Sequence, residues 1–215
     1  MTHTRPPRRR QVPLPAVPDV FDCLPALGRP QHVYIVGAGP GGKGQYDKIP
    51  ASAYTMAANC MVAYPRAWSL WMAVDGSASW QTWWNEPVQP PTKVILTEGL
   101  VPKHPYCDYY VKAHWTVGAG WYPIRGCLFN GATIIGMLLQ LAYFMGVRHA
   151  TLVGCDLQGG QHHDGSWAYP NNGRWHQADN LQTIINWMHA KGGLRVDTMS
   201  PTVLKVPPFV GKLED

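Results

Sequence analysis

The sequence predicts an α/β fold with a mainly parallel sheet and helices on both faces. Three observations carry this expectation. Short apolar runs rich in β-branched residues recur, as at His32–Val36, Lys93–Thr97 and His149–Val153. The first of them stops at a glycine-rich turn, Gly37 to Lys43. The two best helical patterns each lead into a strand within a few residues, and that alternation is the mark of a parallel sheet.

Taken in order, residues 1–30 are rich in Pro and Arg and show no periodicity, so they read as a tail that lies along the domain or stays loose, ahead of a single domain over 31–215. The first strand is His32–Val36. A second is expected at 53–57, ending at Asn59. A third follows at 69–74, ending at Asp75, and a fourth at 93–97. Residues 78–92 and 98–125 are crowded with Trp, Tyr, Pro and Gly and read as aromatic-rich loops or lid insertions. The clearest helix runs over 131–146, with Met137, Leu138, Leu141 and Met145 at helical spacing and Gly146 as its stop. Strand 149–153 comes next, then a polar loop over 157–175, a helix over 178–191 and a last strand over 194–198. In such a sheet ligands bind beyond the carboxyl ends of the strands. Small or polar groups follow five of these strands: Gly37 to Lys43, Asn59, Asp75, Asp156 and Ser200.

Composition excludes several classes. Of the 215 residues, 46% are apolar and 14% charged, too few charges for a disordered chain or a coiled coil. The longest apolar stretch, Ala132 to Val147, contains Gln140 and two glycines and is too short to span a bilayer. Prolines 6, 7, 13, 15 and 18 fall where a signal peptide needs an apolar run, so a cytoplasmic location without membrane partners is expected. The net charge of +5 is largely a property of Arg5, Arg8, Arg9 and Arg10. Such a cluster either holds a phosphate backbone or is simply solvated. The five cysteines form no CxxC pair and suit a reducing compartment. Of the ten tryptophans, five lie between Trp68 and Trp84. Most belong to packing, and one or two could stack on a base or sugar.

The turn Gly37-Ala38-Gly39-Pro40-Gly41-Gly42 is neither the G-x-G-x-x-G fingerprint nor a Walker A loop, since Pro40 interrupts the first and no Ser or Thr follows Lys43. Its glycines permit close approach of backbone to a phosphate or ribose, or simply make a tight turn. Asp75 could hold a metal, a ribose or an acceptor hydroxyl, or cap a helix. His162, His163, Asp164 and His176 share one loop region. They read as a general base or phosphate ligand, as a metal set from His162, Asp164 and His176, or as an exposed polar loop. Arg125 and Arg174 flank the glycine-rich loops and either could neutralise phosphate.

The run Val33 to Pro40 resembles the opening of the bacterial family-42 sialyltransferases and of the related motility accessory factor glycosyltransferases, with Asn59 standing where those families keep an Asn. The segment Ala142 to Asp156 resembles them more closely, as does the ending, with Leu194-Arg195-Val196 and then Ser200-Pro201. Archaeal hydroxymethylpterin diphosphokinase-like proteins and some phage-encoded proteins share the pattern. The resemblance implies a Rossmann-like domain in which Gly39 and Asn59 line a nucleotide pocket and Cys155 and Asp156 sit beside it. It puts His176 near the position of a catalytic His. The chain departs from the sialyltransferases at Ala38, where they carry Asn, and Tyr169 alone could replace the Tyr pair that grips their donor phosphate.

The expected function is a metal-independent glycosyltransferase that uses a nucleotide sugar as co-substrate and no other cofactor. The nucleotide would contact Gly37, Ala38, Gly39, Pro40, Gly41, Asn59, Cys155 and Asp156. His176 or Asp75 would be the base, with Arg174, Tyr169, His162 and His163 toward the phosphate and acceptor. The acceptor is a hydroxyl compound, for which a hydroxymethylated base in phage DNA is one candidate. Two other readings stay open: a diphosphokinase with Mg²⁺ held by Asp75 and Asp156, and a nucleotide- or nucleic-acid-binding module without catalysis.

Overall fold

Every residue of Val33–Val36 is buried, which requires cover on both sides of the strand and explains why its side chains do not alternate in polarity. A computed structural model describes residues 17–74, 81–114, 121–131, 133–157, 160–161, 167–168 and 177–210. Strands β1 (His32–Val36), β2 (Thr55–Ala58), β3 (Leu70–Ala73), β4 (Lys93–Thr97) and β5 (Tyr109–Val111) follow one another. A short parallel pair, β6 (Ala113–His114) and β7 (Leu128–Phe129), precedes helix α1 (Ile134–Phe144). Then come β8 (His149–Val153), a small antiparallel pair of β9 (Gly160–Gln161) and β10 (Trp167–Ala168), helix α2 (Gln177–Trp187) and β11 (Arg195–Thr198).

Seven strands form one parallel sheet in the order β11-β8-β1-β2-β3-β4-β5. Alternate residues of each strand feed two apolar layers. Val33, Ile35, Met56, Leu70, Met72, Ile95 and Leu152 pack with α1 and α2. Val36, Trp71, Ala73, Val94 and Leu96 pack on the other face under short 3₁₀ turns at Tyr46–Lys48, Asn59–Ala63 and Thr82–Asn85. The α/β class with cover on both faces is thus observed, with α-helices on one side and 3₁₀ turns on the other. Several expected boundaries change, among them those of β3 (Leu70–Ala73), α2, which ends at Trp187, and β11, which starts at Arg195. The second strand begins at Thr55, two residues later, and α1 is shorter than its pattern because Thr133 caps it, accepting from Ile135 N–H at 3.3 Å. β5 lies in a segment expected to be loop. Gly146 does end α1, at φ +82°.

Of the N-terminal segment, the described residues 17–30 lie along the domain and add to its core: Val20, Phe21, Leu24 and Leu27 are buried in the α-helical layer, and Tyr110 N–H donates to Pro18 O at 3.0 Å, so this segment seals the edge of β5. Among the described residues no helix is long and apolar enough to cross a membrane.

Candidate functional site

The chain leaves β1 toward β2 over the 3₁₀ face, while α1 brings it into β8 over the other face. Strand order therefore reverses between β1 and β8, and loops diverge there at the carboxyl edge. That is where an open parallel sheet has its ligand crevice. The glycine turn sits on this point. Gly37 N–H donates to Val153 O at 2.9 Å, and Gly39 N–H to Gly154 O at 2.8 Å, so the two strand ends are zipped past their last regular residues. Gly154, at φ +64°, has no room for a side chain: a Cβ would lie 2.5 Å from Gly37 O.

Asp156 is the centre of this arrangement. It is 3% exposed, and its Oδ2 accepts from Gly41 N–H at 2.5 Å. A Cβ at Gly39 would meet Oδ2 at 2.7 Å, and one at Gly41 would meet Oδ1 at 2.6 Å. Close approach at residues 39 and 41 is thus already used by a carboxylate of the same chain. An anion at that spot would be repelled, so the turn suits hydroxyl or amino donors better than phosphate. Tyr46 supports the loop from beneath, its hydroxyl 3.0 Å from Gly37 O and 3.1 Å from Gly39 O. Burial, with Cys155 and Asp156 close by, raises the Tyr46 pKa, which keeps it protonated. Ala38 is buried, whereas Pro40 is exposed at the rim. Cys155 is buried and pushed up to about 12, chiefly by burial, so it is an inert packing residue and no nucleophile. The loop after β11 completes the frame, with Ser200 Oγ accepting from Gly154 N–H at 2.9 Å and Thr202 Oγ1 donating to Cys155 O at 2.9 Å.

Asn59 follows β2, the strand beside β1. Its backbone is left-handed, φ 47°, a conformation Asn tolerates better than most residues. Its carbonyl accepts from Trp71 Nε1 at 2.7 Å. Its side-chain Oδ1 is buried and has no hydrogen-bond partner among the described residues. A buried acceptor without a donor is costly, and a ligand donor would remove that cost.

Two further residues were not singled out by the sequence. Since α1 runs directly into β8, its N-terminus also faces the carboxyl edge. Asn130 and Thr133 form the entry turn, with Thr133 N–H donating to Asn130 O at 2.8 Å. Asn130 is 4% exposed, and its Oδ1 likewise lacks a partner among the described residues. The Asn-Gly step ahead of a Thr N-cap was the available signal.

The structure thus brings together Gly37, Ala38, Gly39, Pro40, Gly41, Asp156 and Cys155, with Asn59 on the neighbouring strand end. Asp75, His162, His163, Asp164, Tyr169, Arg174 and His176 lie outside the described residues. Arg125 is exposed and donates to Phe21 O at 3.2 Å, a tie to the N-terminal segment. The tryptophans at 68, 71, 83 and 84 are buried. Trp68, Trp71 and Trp84 give their indole N–H to Met61 O, Asn59 O and Lys103 O, so this group packs the second face and is not a stacking platform.

No family model matches the sequence, and no curated protein matches it. Solved structures do match in fold. The sialyltransferase CstII from Campylobacter jejuni, in complex with the substrate analogue cytidine-5'-monophosphate, is similar at TM-score 0.52 and 12% identity, over 86% of this chain and 87% of that one. The sialyltransferase CST-II in complex with a trisaccharide acceptor and CMP gives TM-score 0.50 at 11% identity, over 86% and 88%. The chain has a Rossmann-like, sialyltransferase-like α/β fold.

Proposed function

We propose that this protein is a nucleotide-sugar-dependent glycosyltransferase whose nucleotide lies at the carboxyl edge between β1, β2 and β8. The observation that carries the reading is Asn59 Oδ1, a buried acceptor awaiting a donor beside a turn whose own N–H is committed to Asp156. A nucleoside supplies such donors in its ribose hydroxyls and base amino group. The phosphate then lies away from Asp156, toward the amino-terminal end of α1, where a helix dipole favours an anion.

In the transfer, a base takes the acceptor hydroxyl proton. The acceptor oxygen bonds to the anomeric carbon as the bond from that carbon to the phosphate oxygen breaks, and the departing nucleotide keeps the electron pair. His176, at the entry to α2, is the proposed base, with Asp75 next in line. Arg174 and Tyr169 are the proposed partners of the phosphate.

Thermal shift with CMP, UDP, GDP and ATP, each with and without Mg²⁺, tests the reading. CMP is tried first because structures of this fold bind it. A cytidine or other pyrimidine nucleotide should stabilise the protein without metal, and Asn59→Ala should weaken it by about tenfold, the worth of one hydrogen bond. Stabilisation by ATP with Mg²⁺ alone would favour the diphosphokinase reading instead. Single-turnover transfer to oligosaccharide and to hydroxymethylated DNA identifies the acceptor. His176→Ala should lose about 10²–10⁴ in turnover while nucleotide binding survives.

A further inference from the structure

The amino-terminal end of the sheet carries a second set of polar groups, on the face opposite α1. Asp197 of β11 is fully buried. Its Oδ1 accepts from Thr151 Oγ1 at 2.7 Å, and its Oδ2 lies 2.7 Å from His149 Nε2 and 3.5 Å from Arg195 Nη2. The Thr151 hydroxyl has one hydrogen, and Asp197 takes it. The same oxygen therefore accepts from His32 Nε2, 2.9 Å away. That places the His32 proton on Nε2 and a lone pair on Nδ1. Burial, followed by the proximity of His149, lowers the His32 pKa to about 4, so the ring is neutral at pH 7. Stacking on His149, with centroids 4.1 Å apart and planes 8° off parallel, holds the ring in place, with Phe209 at 6.0 Å.

Thr151 is on the β8 side of β1. On the β2 side, His32 and Tyr34 line a cleft of about 460 Å³ with Pro30, Pro50, Ser52 and Tyr54. This cleft is at the other end of β1 from the glycine turn, five residues or about 16 Å away. Among the described residues no Lys, Arg, Asp or Glu lines it, so a phosphate or carboxylate ligand would meet no counter-ion there. Its walls are proline and tyrosine. Its polar groups are the His32 ring and the hydroxyls of Tyr34, Ser52 and Tyr54; that of Tyr54 donates to Leu27 O, and that of Tyr34 has no hydrogen-bond partner among the described residues. Apolar walls with a few spaced donors and acceptors suit a ligand that has C–H faces and a rim of hydroxyls.

We propose that this cleft binds a neutral pyranose, with His32 Nδ1 accepting from one ring hydroxyl and the Tyr34 and Ser52 hydroxyls pairing with others. The Asp197–Thr151 pair acts as the support that fixes the His32 tautomer. The site is separate from the carboxyl-edge crevice and does not depend on the function proposed for it.

The test is saturation-transfer NMR with titration of the full chain, using methyl α-glucopyranoside, methyl β-galactopyranoside and N-acetylglucosamine as probes. At least one should bind, and CMP should not displace it. Ser52→Trp, at an exposed residue, should fill the cleft and abolish binding, with melting unchanged. His32→Phe keeps a flat ring but removes Nδ1, and should weaken binding by about tenfold. Glucuronate should bind more weakly than the matching neutral sugar. The proposal is overturned if none of the three sugars binds, if CMP competes with the bound sugar, or if Ser52→Trp binds like the wild type. CMP affinity, followed separately in the same variants, reports on the carboxyl edge alone.

Discussion

The close contact between Asp156 and the glycine turn can be measured with one double-mutant cycle. Gly41 has room for its backbone but none for a methyl group, because a Cβ would lie 2.6 Å from Asp156 Oδ1 and 3.0 Å from Cγ. Gly41→Ala must push the carboxylate away and break the hydrogen bond from Gly41 N–H. A bond to a charged acceptor is worth about 1.5–3 kcal/mol. Gly41 does not have a positive φ, so the alanine returns about 0.4–1 kcal/mol by restricting the unfolded chain. The net loss is therefore about 0.5–2.5 kcal/mol. Asp156→Ala alone loses the same bond. In the double variant there is no carboxylate to displace, so adding Gly41→Ala to Asp156→Ala becomes neutral or stabilising. The coupling between the two sites should be about 1.5–3 kcal/mol. Urea denaturation of the four proteins reads this directly. Additive losses, with a coupling within about 0.5 kcal/mol of zero, would refute the claim that the glycines make room for Asp156.

Three other perturbations probe other parts of the structure. The unfolded His32 binds a proton near pH 6.5 and the folded one near pH 4, so the unfolded state holds more protons in between; stability is full above pH 6.5 and falls as the pH drops toward 4. Melting scans across that window should show the fall, His32→Phe should flatten it, and an unchanged slope in the variant would assign the effect to another group. Arg66 donates to Tyr46 O, Ile49 O and Pro50 O at 3.0, 2.9 and 2.7 Å, so Arg66→Ala should cost about 2–3 kcal/mol, with Arg66→Lys recovering only part because an ammonium lacks the planar fork. Denaturant unfolding checks both variants. Maleimide labelling of the native protein should spare Cys60 and Cys155, which are buried, and reach Cys23, Cys107 or Cys127 first; early modification of Cys155 would contradict the closed turn.

Local pattern was enough for the elements whose neighbours are close in sequence or whose burial is complete. β1, β4 and β8 begin and end where their apolar runs do, because a strand covered on both faces must be apolar throughout. The glycine turn, Asn59 and Asp156 were recognisable as strand ends, since small and polar residues there break an apolar run. β5 was not, because an edge strand of three residues carries too little alternation to stand out among Pro and Tyr. The packing of residues 17–30 was hidden for a related reason: four apolar residues spaced among prolines gain meaning only when the edge of β5 lies beside them.

The sequence by itself determined the class of fold and the small and polar residues that end its strands. Tertiary structure decided what the glycines serve, because Asp156 reaches Gly41 across 115 residues. It also decided that His32, Thr151 and Asp197 form one chain of hydrogen bonds, across separations of 119 and 46 residues. Periodicity reports whether a side chain is buried. It carries no information on which strand lies alongside, and a buried polar group takes its role from that neighbour.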